Sequence, residues 1–370
     1  METSTDRTGN AWRDKRKPRL CAVAGMLRFR YASGRKAEKR RREHREEQLY
    51  KVIMAPTEGS DTERAAISVA VKLAQRFDAD LRLVRVVAPP LGIETVPRPP
   101  VLMITEQTLL DERPARLHKL EALGAECRAL GNIRVITALE EGHVTATLRD
   151  YAEKFDVDLI VMSSHSRGGV KRLTLGSVTD YLIRNTNIPV LVVKPPGSFI
   201  GGAPEQTLSR ILVPLDGSAL AQQILPEVAA LASRLNSTVS LLQVLTPLTY
   251  SQKQIMQPGL PWWDTDIANA DAYLALVAGY LTEEGLTVSK DVVLSEDVPT
   301  AILDYSMRTR ADLIALATSG SAGMSRFVFG TVADEVTRKS PTSLLVFHPK
   351  PSAVTDNTLG RSEAQTMARA

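Results

Sequence analysis

The sequence predicts an α/β protein built twice over: two tandem open parallel sheets, each of five strands with helices on both faces. Three observations carry this reading. Short apolar, β-branched runs alternate with helical stretches of roughly 10–20 residues, the pattern of right-handed βαβ crossovers that cover a parallel sheet on both sides. The pattern occurs twice, because Leu49-Tyr-Lys-Val-Ile-Met-Ala-Pro-Thr-Glu-Gly-Ser60 has a twin in Ser209-Arg-Ile-Leu-Val-Pro-Leu-Asp-Gly-Ser218, whose closing Ser lies 158 residues on. A small-residue loop is also duplicated. Ser163-Ser-His-Ser166 is followed after nine residues by Gly176-Ser177, and Ala317-Thr-Ser-Gly320 after nine by Gly330-Thr331. A whole-domain repeat settles architecture better than local propensity does.

The elements follow in order. Each half opens on a buried-strand pattern running into Pro-x-[Asp/Glu]-Gly-Ser, a turn that hands over to a helix. The helices are predicted over Asp61–Phe77, with Ile67, Ala70, Val71 and Ala74 on one side, and over Ala219–Leu235, with Ile224, Val228, Leu231 and Leu235. Second strands follow at Asp80–Val87 and Thr238–Leu245. The halves then differ most: a Pro-rich loop at Ala88–Val101, against Thr246–Asp266 with Trp262 and Trp263 in a loop flanked by prolines, where they are expected to cover a core edge. Both resume with a long helix (Thr105–Leu130; Asp266–Glu284), a third strand (Ile133–Ala138; Val288–Leu294) and a helix ending in Asp-Tyr (Asp150-Tyr151; Asp304-Tyr305). An Asp-Leu-Ile strand, the small-residue loop, a last helix and a final strand (Ile188–Val193; Pro341–Phe347) complete each half.

The boundaries expected are a basic extension at 1–48, a first domain at 49–196, a breaker-rich linker at 197–208, a second domain at 209–349 and a polar tail at 350–370. The charge is uneven. Residues 1–48 hold 15 basic and 7 acidic side chains, leaving 31 basic and 35 acidic for the rest of a chain whose formal charge is +4. The basic balance belongs to the extension, not to the fold. Its charged run Lys36–Gln48 could form a helix but has no apolar face to dock. The readings open for it are a solubilising tail, a product of too early a translation start, or contact with nucleic acid or anionic membrane.

With 44% hydrophobic and 24% charged residues the composition is that of an ordinary globular protein. Two cysteines, Cys21 and Cys127, make no disulfide framework and suit a reducing compartment. The apolar run Leu20–Leu27 is too short to span a membrane. Arg28-Phe-Arg30 follows it without a small-residue cleavage site, so a cytoplasmic location is expected. The histidines are scattered, including His165 in the first loop, so no metal site and no catalytic constellation is expected.

The loops carry the chemistry. Small residues at a strand-to-helix turn let backbone amides approach an anion at a helix N-terminus. Ser177 and Thr331 are also expected to act as N-caps of capping boxes closed by Asp180 and Asp334, whose carboxylates would compete with an anion for the same amides.

Laid out this way, residues 50–349 resemble two tandem copies of the universal stress protein family. Nucleotide-binding members carry Gly-x2-Gly-x9-Gly-[Ser/Thr] after the fourth strand and an Asp at the end of the first. The resemblance implies an adenine-nucleotide α-hydrolase-like fold with strand order 3-2-1-4-5. It also implies a site at the carboxyl ends of the strands near the switch point, where open α/β sheets bind ligands. In the second half the match runs through Pro214, Leu215 and Asp216, the last near the adenosine, then Val244 at the adenine. It continues through Ala317, Gly320, Gly330, Thr331 and Val332 at the phosphates, with only Ala317 replacing a glycine.

The first half departs further. Its weaker counterparts are Pro56, Thr57, Glu58, Val86, Ser163, Ser166, Gly176, Ser177 and Val178. Glu58 is one methylene longer than Asp, Ser163 and Ser166 replace two glycines, and the loop is the more basic, with Arg167, Lys171 and Arg172. The resemblance implies binding of ATP, with Mg²⁺ able to accompany it, mainly in the second domain of a stress-response sensor or regulator. Slow hydrolysis stays open, although no general base stands near the loop. The alternative is a dimeric interaction scaffold that binds no nucleotide. A third reading, an enzyme of the α-hydrolase group, lacks a catalytic loop. Apolar final strands at the sheet edges imply that the halves pair within one chain as a pseudo-dimer, with a homodimer also possible.

Overall fold

The computed structural model describes residues 49–60, 63–87, 106–164, 175–194, 208–247, 262–318 and 330–348. The described residues from Tyr50 onward form one compact unit. The basic extension, most of the linker and the C-terminal tail lie outside the described residues, as do His165, Ser166, Arg167, Lys171, Arg172 and Gly320.

In the first half β1 (Val52–Pro56), α1 (Arg64–Phe77), β2 (Asp80–Val87), α2 (Glu106–Ala129), β3 (Val135–Glu141), α3 (Val144–Lys154), β4 (Leu159–Ser163), α4 (Ser177–Asn185) and β5 (Val190–Val193) alternate as the repeat implies. The second half repeats them as β6 (Arg210–Pro214), α5 (Leu225–Leu235), β7 (Thr238–Leu245), α6 (Trp262–Glu283), β8 (Val288–Leu294), α7 (Val298–Arg308), β9 (Leu313–Ala317), α8 (Thr331–Lys339) and β10 (Ser343–Phe347).

The two sets of five strands form a single sheet in the order β3-β2-β1-β4-β5-β10-β9-β6-β7-β8. Within each half the order is 3-2-1-4-5 and every pairing is parallel. The halves meet through one antiparallel pair, with Leu191 opposite Leu345 and Val192 opposite Leu344. Val190–Val193 and Ser343–Val346 are all buried, so this seam hides the edges that two separate sheets would expose.

Alternate strand residues point to opposite faces, and each face has its own core. Ile53 and Ala55 join Val213 and Leu241 beneath α1, α2, α5 and α6. Met54, Leu212 and Leu242 pack beneath α3, α4, α7 and α8. Both faces also carry contacts between the halves. The Tyr50 hydroxyl donates to a Glu227 carboxylate oxygen in α5, and burial with the Glu227 charge raises the Tyr50 phenol well above its usual pKa.

Four local expectations are corrected. The first helix of the second half starts as a 3-10 turn, Ala221–Ile224, and becomes α-helical only at Leu225, because Pro226 lacks an N–H and fits only the first turn. The third strand of the first half runs Val135–Glu141 instead of Ile133–Ala138. The turn at Gly131, whose carbonyl accepts from Ile133 N at 2.9 Å, delays it, and Glu140 and Glu141 extend it along the sheet edge opposite Val86 and Val87. Trp262 and Trp263 open α6 instead of sitting in the preceding loop, since Pro261 is followed directly by helix. Finally, Ser177 and Thr331 are not N-caps. Gly176 and Gly330 hold the extended cap conformation, no side-chain cap bond forms, and Ser177 and Thr331 are the first helical residues.

Candidate functional site

The strand ends at the switch points between β1 and β4, and between β6 and β9, gather most of the sequence-predicted residues. In the second half, Leu215 extends the β6–β7 ladder by donating its N–H to Leu242 O at 2.8 Å. The chain then turns at Gly217, whose φ of +83° is a left-handed value that glycine adopts without a Cβ penalty. Asp216 is exposed and its Oδ1 accepts from Ser218 N at 2.8 Å; Ser218 Oγ in turn accepts from Ala221 N at 3.0 Å. These short-range bonds stiffen the turn through which Pro214, Leu215 and Asp216 reach the strand end.

Polar side chains that sequence reading missed lie beside this turn. A Cβ on Gly217 would stand 3.8 Å from Gln243 Nε2, and Gln243 Oε1 is buried without a hydrogen-bond partner among the described residues. The Tyr273 hydroxyl is a second such atom. Burial raises its pKa, the nearby Gln222 side chain opposes that shift, and the Asp216 charge adds to it. Tyr273, Gln222 and Asp216 thus share one electrostatic neighbourhood, with Gln243 against Gly217. The signal was weak in sequence, because β7 and α6 bring Gln243 and Tyr273 here from positions 27 and 57 residues beyond Asp216.

On the other face, Val244 and Val332 both pack against the α7/α8 core, as Val86 and Val178 do against its first-half part. Ala317 closes β9 half-buried. Beyond it, Thr318 is fully buried; its N–H donates to Phe347 O at 2.9 Å and its hydroxyl lies 3.1 Å from His348 Nδ1. Burial lowers the His348 pKa, favouring the neutral ring. Gly330 is half-buried and Thr331 exposed at the start of α8.

The first half places Pro56, Thr57, Glu58 and Gly59 in the same way, with Gly59 at φ +84°, and Thr57 N donates to Val84 O at 2.9 Å. Its chemistry differs. One oxygen of Glu63 accepts from Thr57 Oγ1 at 2.8 Å, from Glu58 N at 2.9 Å and from Gly59 N at 3.2 Å. Ser163 ends β4, and its carbonyl accepts from Thr179 Oγ1 at 3.4 Å, tying the start of α4 to the strand. Ser164 N donates to Val193 O at 3.3 Å, as Thr318 does to Phe347. The residue after Val193 is Lys194, only 5% exposed; burial lowers its pKa to about 8.

The carboxylates expected to compete for the helix-end amides are turned elsewhere. Asp180 accepts from Arg184 Nε at 3.0 Å, and Asp334 from Arg338 Nε at 2.9 Å. Arg184 also reaches across to Asp334, and Arg338 stands 3.8 Å from Asp180. The four side chains form a ring between α4 and α8, and arginine's rigid fork suits it to hold two carboxylates at once. Among the described residues no cluster of three or more His, Cys, Asp or Glu could hold a metal ion, and no helix is long and apolar enough to cross a membrane.

Fold and strand-end geometry together define the class: a fused pair of doubly wound α/β modules, each with its turns and helix N-termini gathered at the carboxyl ends of its strands. The sequence pattern of the universal stress protein family matches residues 49–194 and 207–348. The chain belongs to the universal stress protein family. It is 34% identical over 152 residues to the universal stress protein MJ0531 of Methanocaldococcus jannaschii, covering 40% of this chain and 85% of the relative. It is 26% identical over 291 residues to the universal stress protein Rv2623 of Mycobacterium tuberculosis, covering 76% and 92% respectively. Among solved structures, a universal stress protein from Archaeoglobus fulgidus superimposes with a TM-score of 0.59 at 16% identity, over 81% of this chain and 99% of its own. That likeness concerns the fold.

Proposed function

We propose that this universal stress protein binds an adenine nucleotide, ATP, principally in its second half, and acts as a stress-response sensor or regulator instead of a dedicated catalyst. The observation that carries the reading is the second-half strand end. There the Gly217 turn, exposed Asp216, Val244, and the Ala317 and Gly330 ends of the phosphate-loop segment come from elements meeting at the β6–β9 switch point. The donor set fits the group. Asp216 offers acceptors to a ribose, and the orphaned Gln243 Oε1 seeks a donor of the kind an adenine amine or a ribose hydroxyl supplies. Gly330 and Thr331 start a helix whose amides favour phosphate, while Asp334 is engaged by Arg338 and Arg184 and so does not cap them.

Pro214, Leu215, Asp216, Val244, Ala317, Gly320, Gly330, Thr331 and Val332 are the residues assigned to the nucleotide, and Mg²⁺ would enter with its phosphate oxygens. The domain boundaries given above are proposed with it, as is a cytoplasmic location. Titration calorimetry of nucleotide-free full-length protein with ATP and Mg²⁺ tests the reading. Binding heat is expected, and Asp216→Ala is expected to weaken binding about tenfold, the scale of one charge-assisted hydrogen bond. Absence of heat in the parent protein would overturn the proposal.

A further inference from the structure

The two strand-end turns share backbone geometry but not occupancy. Gly59 and Gly217 have φ values of +84° and +83°, and Thr57 N and Leu215 N make corresponding ladder bonds to Val84 O and Leu242 O. In the first half the turn's donors converge on a single atom, Glu63 Oε2, which receives the Thr57 hydroxyl and the Glu58 and Gly59 amides. Gly59 N is shared with Thr57 Oγ1 at 3.0 Å, closing the cluster. A carboxylate holding three such donors is bound as an external anion would be in a backbone nest. In the second half residue 221 stands in the place of Glu63, at the same distance of 158 positions, and it is alanine; Leu215 replaces Thr57. That turn has neither group at those positions; its own ties run from Ser218 N to Asp216 Oδ1 and from Ala221 N to Ser218 Oγ, and among the described residues no helix-start carboxylate folds back into it.

We propose that Glu63 is an internal ligand of the first half: its carboxylate occupies the β1 strand-end turn and shuts that site to nucleotide, while Ala221 leaves the second-half turn accessible. The inference rests on reading the strand ends as nucleotide sites, and it names the residue that makes them unequal. Two effects act together. The turn's donors are already engaged by Glu63, and its side chain stands in the turn where the ribose would sit, whereas the other half has Ala221 at that position. A site available only when its resident group swings away has its affinity reduced by the fraction of time it is available. Charge-assisted hydrogen bonds make that fraction small.

The test compares parent, Glu63→Ala and Glu63→Gln full-length proteins by calorimetric titration with ATP and Mg²⁺, alongside amide hydrogen exchange without nucleotide. Glu63→Ala is expected to add a binding event, or to tighten a weak one about tenfold or more, leaving the second-half event unchanged. Glu63→Gln keeps an acceptor without the charge and should gain less. Glu58 and Gly59 amides should exchange faster in Glu63→Ala, with Asp216 and Gly217 unaffected. Should the parent bind in the second half while Glu63→Ala adds and tightens nothing, the role assigned to Glu63 is refuted and the nucleotide reading stands. Should the parent bind nothing and Glu63→Ala acquire one event, the second-half reading fails and this one holds. Two full events in the parent, binding in neither protein, or unchanged exchange at Glu58 and Gly59 each overturn it.

Discussion

Lys194 stores an unfavourable charge in the fold, and replacing it with methionine should change the protein's stability in a pH-dependent way. The residue follows β5 at the seam between the halves, its N–H donating to Ser343 Oγ at 3.2 Å, and burial lowers its pKa from 10.5 to about 8. A folded pKa below the unfolded one means that the unfolded chain binds the proton more tightly. Between about pH 8 and pH 10.5 the unfolded state therefore carries more protons, and stability rises with pH. At pH 7 the penalty for keeping the ammonium in the fold is about 3 kcal/mol, and by pH 10 about 1 kcal/mol remains. Methionine fills similar space without a titrating group, so the stability of Lys194→Met relative to the parent should fall by about 2–3 kcal/mol between pH 7 and pH 10. Urea unfolding of both proteins at the two pH values measures this, and every other titrating group cancels in the comparison. A stability difference that is equal at both pH values would refute burial as the source.

Three further outcomes follow from the same geometry. Arg184→Ala should cost about 1–3 kcal/mol, because it removes one of the two arginines shared by Asp180 and Asp334 and leaves Arg338 alone between them; denaturant midpoints of this variant and of Arg184→Lys measure it. Burial pushes the Asp334 carboxyl up, but hydrogen bonds from Arg338 and Arg184 outweigh it and hold the pKa below the usual value. The unfolded chain then takes up the proton first, so this stability is present above the ordinary carboxylate range and is lost as pH falls through the folded value; acid unfolding should shift upward in Arg184→Ala. Gly59→Ala and Gly217→Ala should each cost about 1–2 kcal/mol for a left-handed backbone, since the nearest atoms to the added methyl groups stand 3.4 and 3.8 Å away, yet only Gly217→Ala should also weaken ATP binding in calorimetry. Cys127 is buried in α2, with burial raising its thiol pKa, Glu126 adding to the shift and Arg128 opposing it. In a Cys21→Ser background Ellman's reagent should therefore modify it only after unfolding.

The repeat made most of this architecture legible in sequence. Asp80–Val87, Thr238–Leu245 and Val288–Leu294 are predicted to the residue, because alternating apolar side chains between turn signals leave one register. The helix caps were not legible. Ser177-x-x-Asp180 and Thr331-x-x-Asp334 satisfy a capping-box pattern, but the preceding glycines adopt the cap conformation, and the aspartates find stronger partners in arginines, one of which reaches across from the facing half. Such partners are set by the seam, which no local window contains. Glu63 was missed for a related reason: its bonds run back four to six residues into a turn, so an ordinary acid at a helix start and an internal ligand look alike in sequence. In the second half the strand-end residues Asp216 and Val244 were readable from the motif, whereas Gln243 and Tyr273 come to the same strand end only when β7 and α6 pack.

Joining the halves in one polypeptide also changes what the seam can contain. In a homodimer with a two-fold axis every contact is made twice, so a side chain at the interface must suit both of its copies. Here Tyr50 and Glu227 bond across the halves, while the corresponding positions in the repeat hold Leu208 and Val69, both buried. A polar tie on one side of the axis and hydrocarbon on the other is available only to a chain whose duplicate copies drift independently. Covalent linkage thus releases each half from self-complementarity and lets one surface specialise without imposing the same change on its twin.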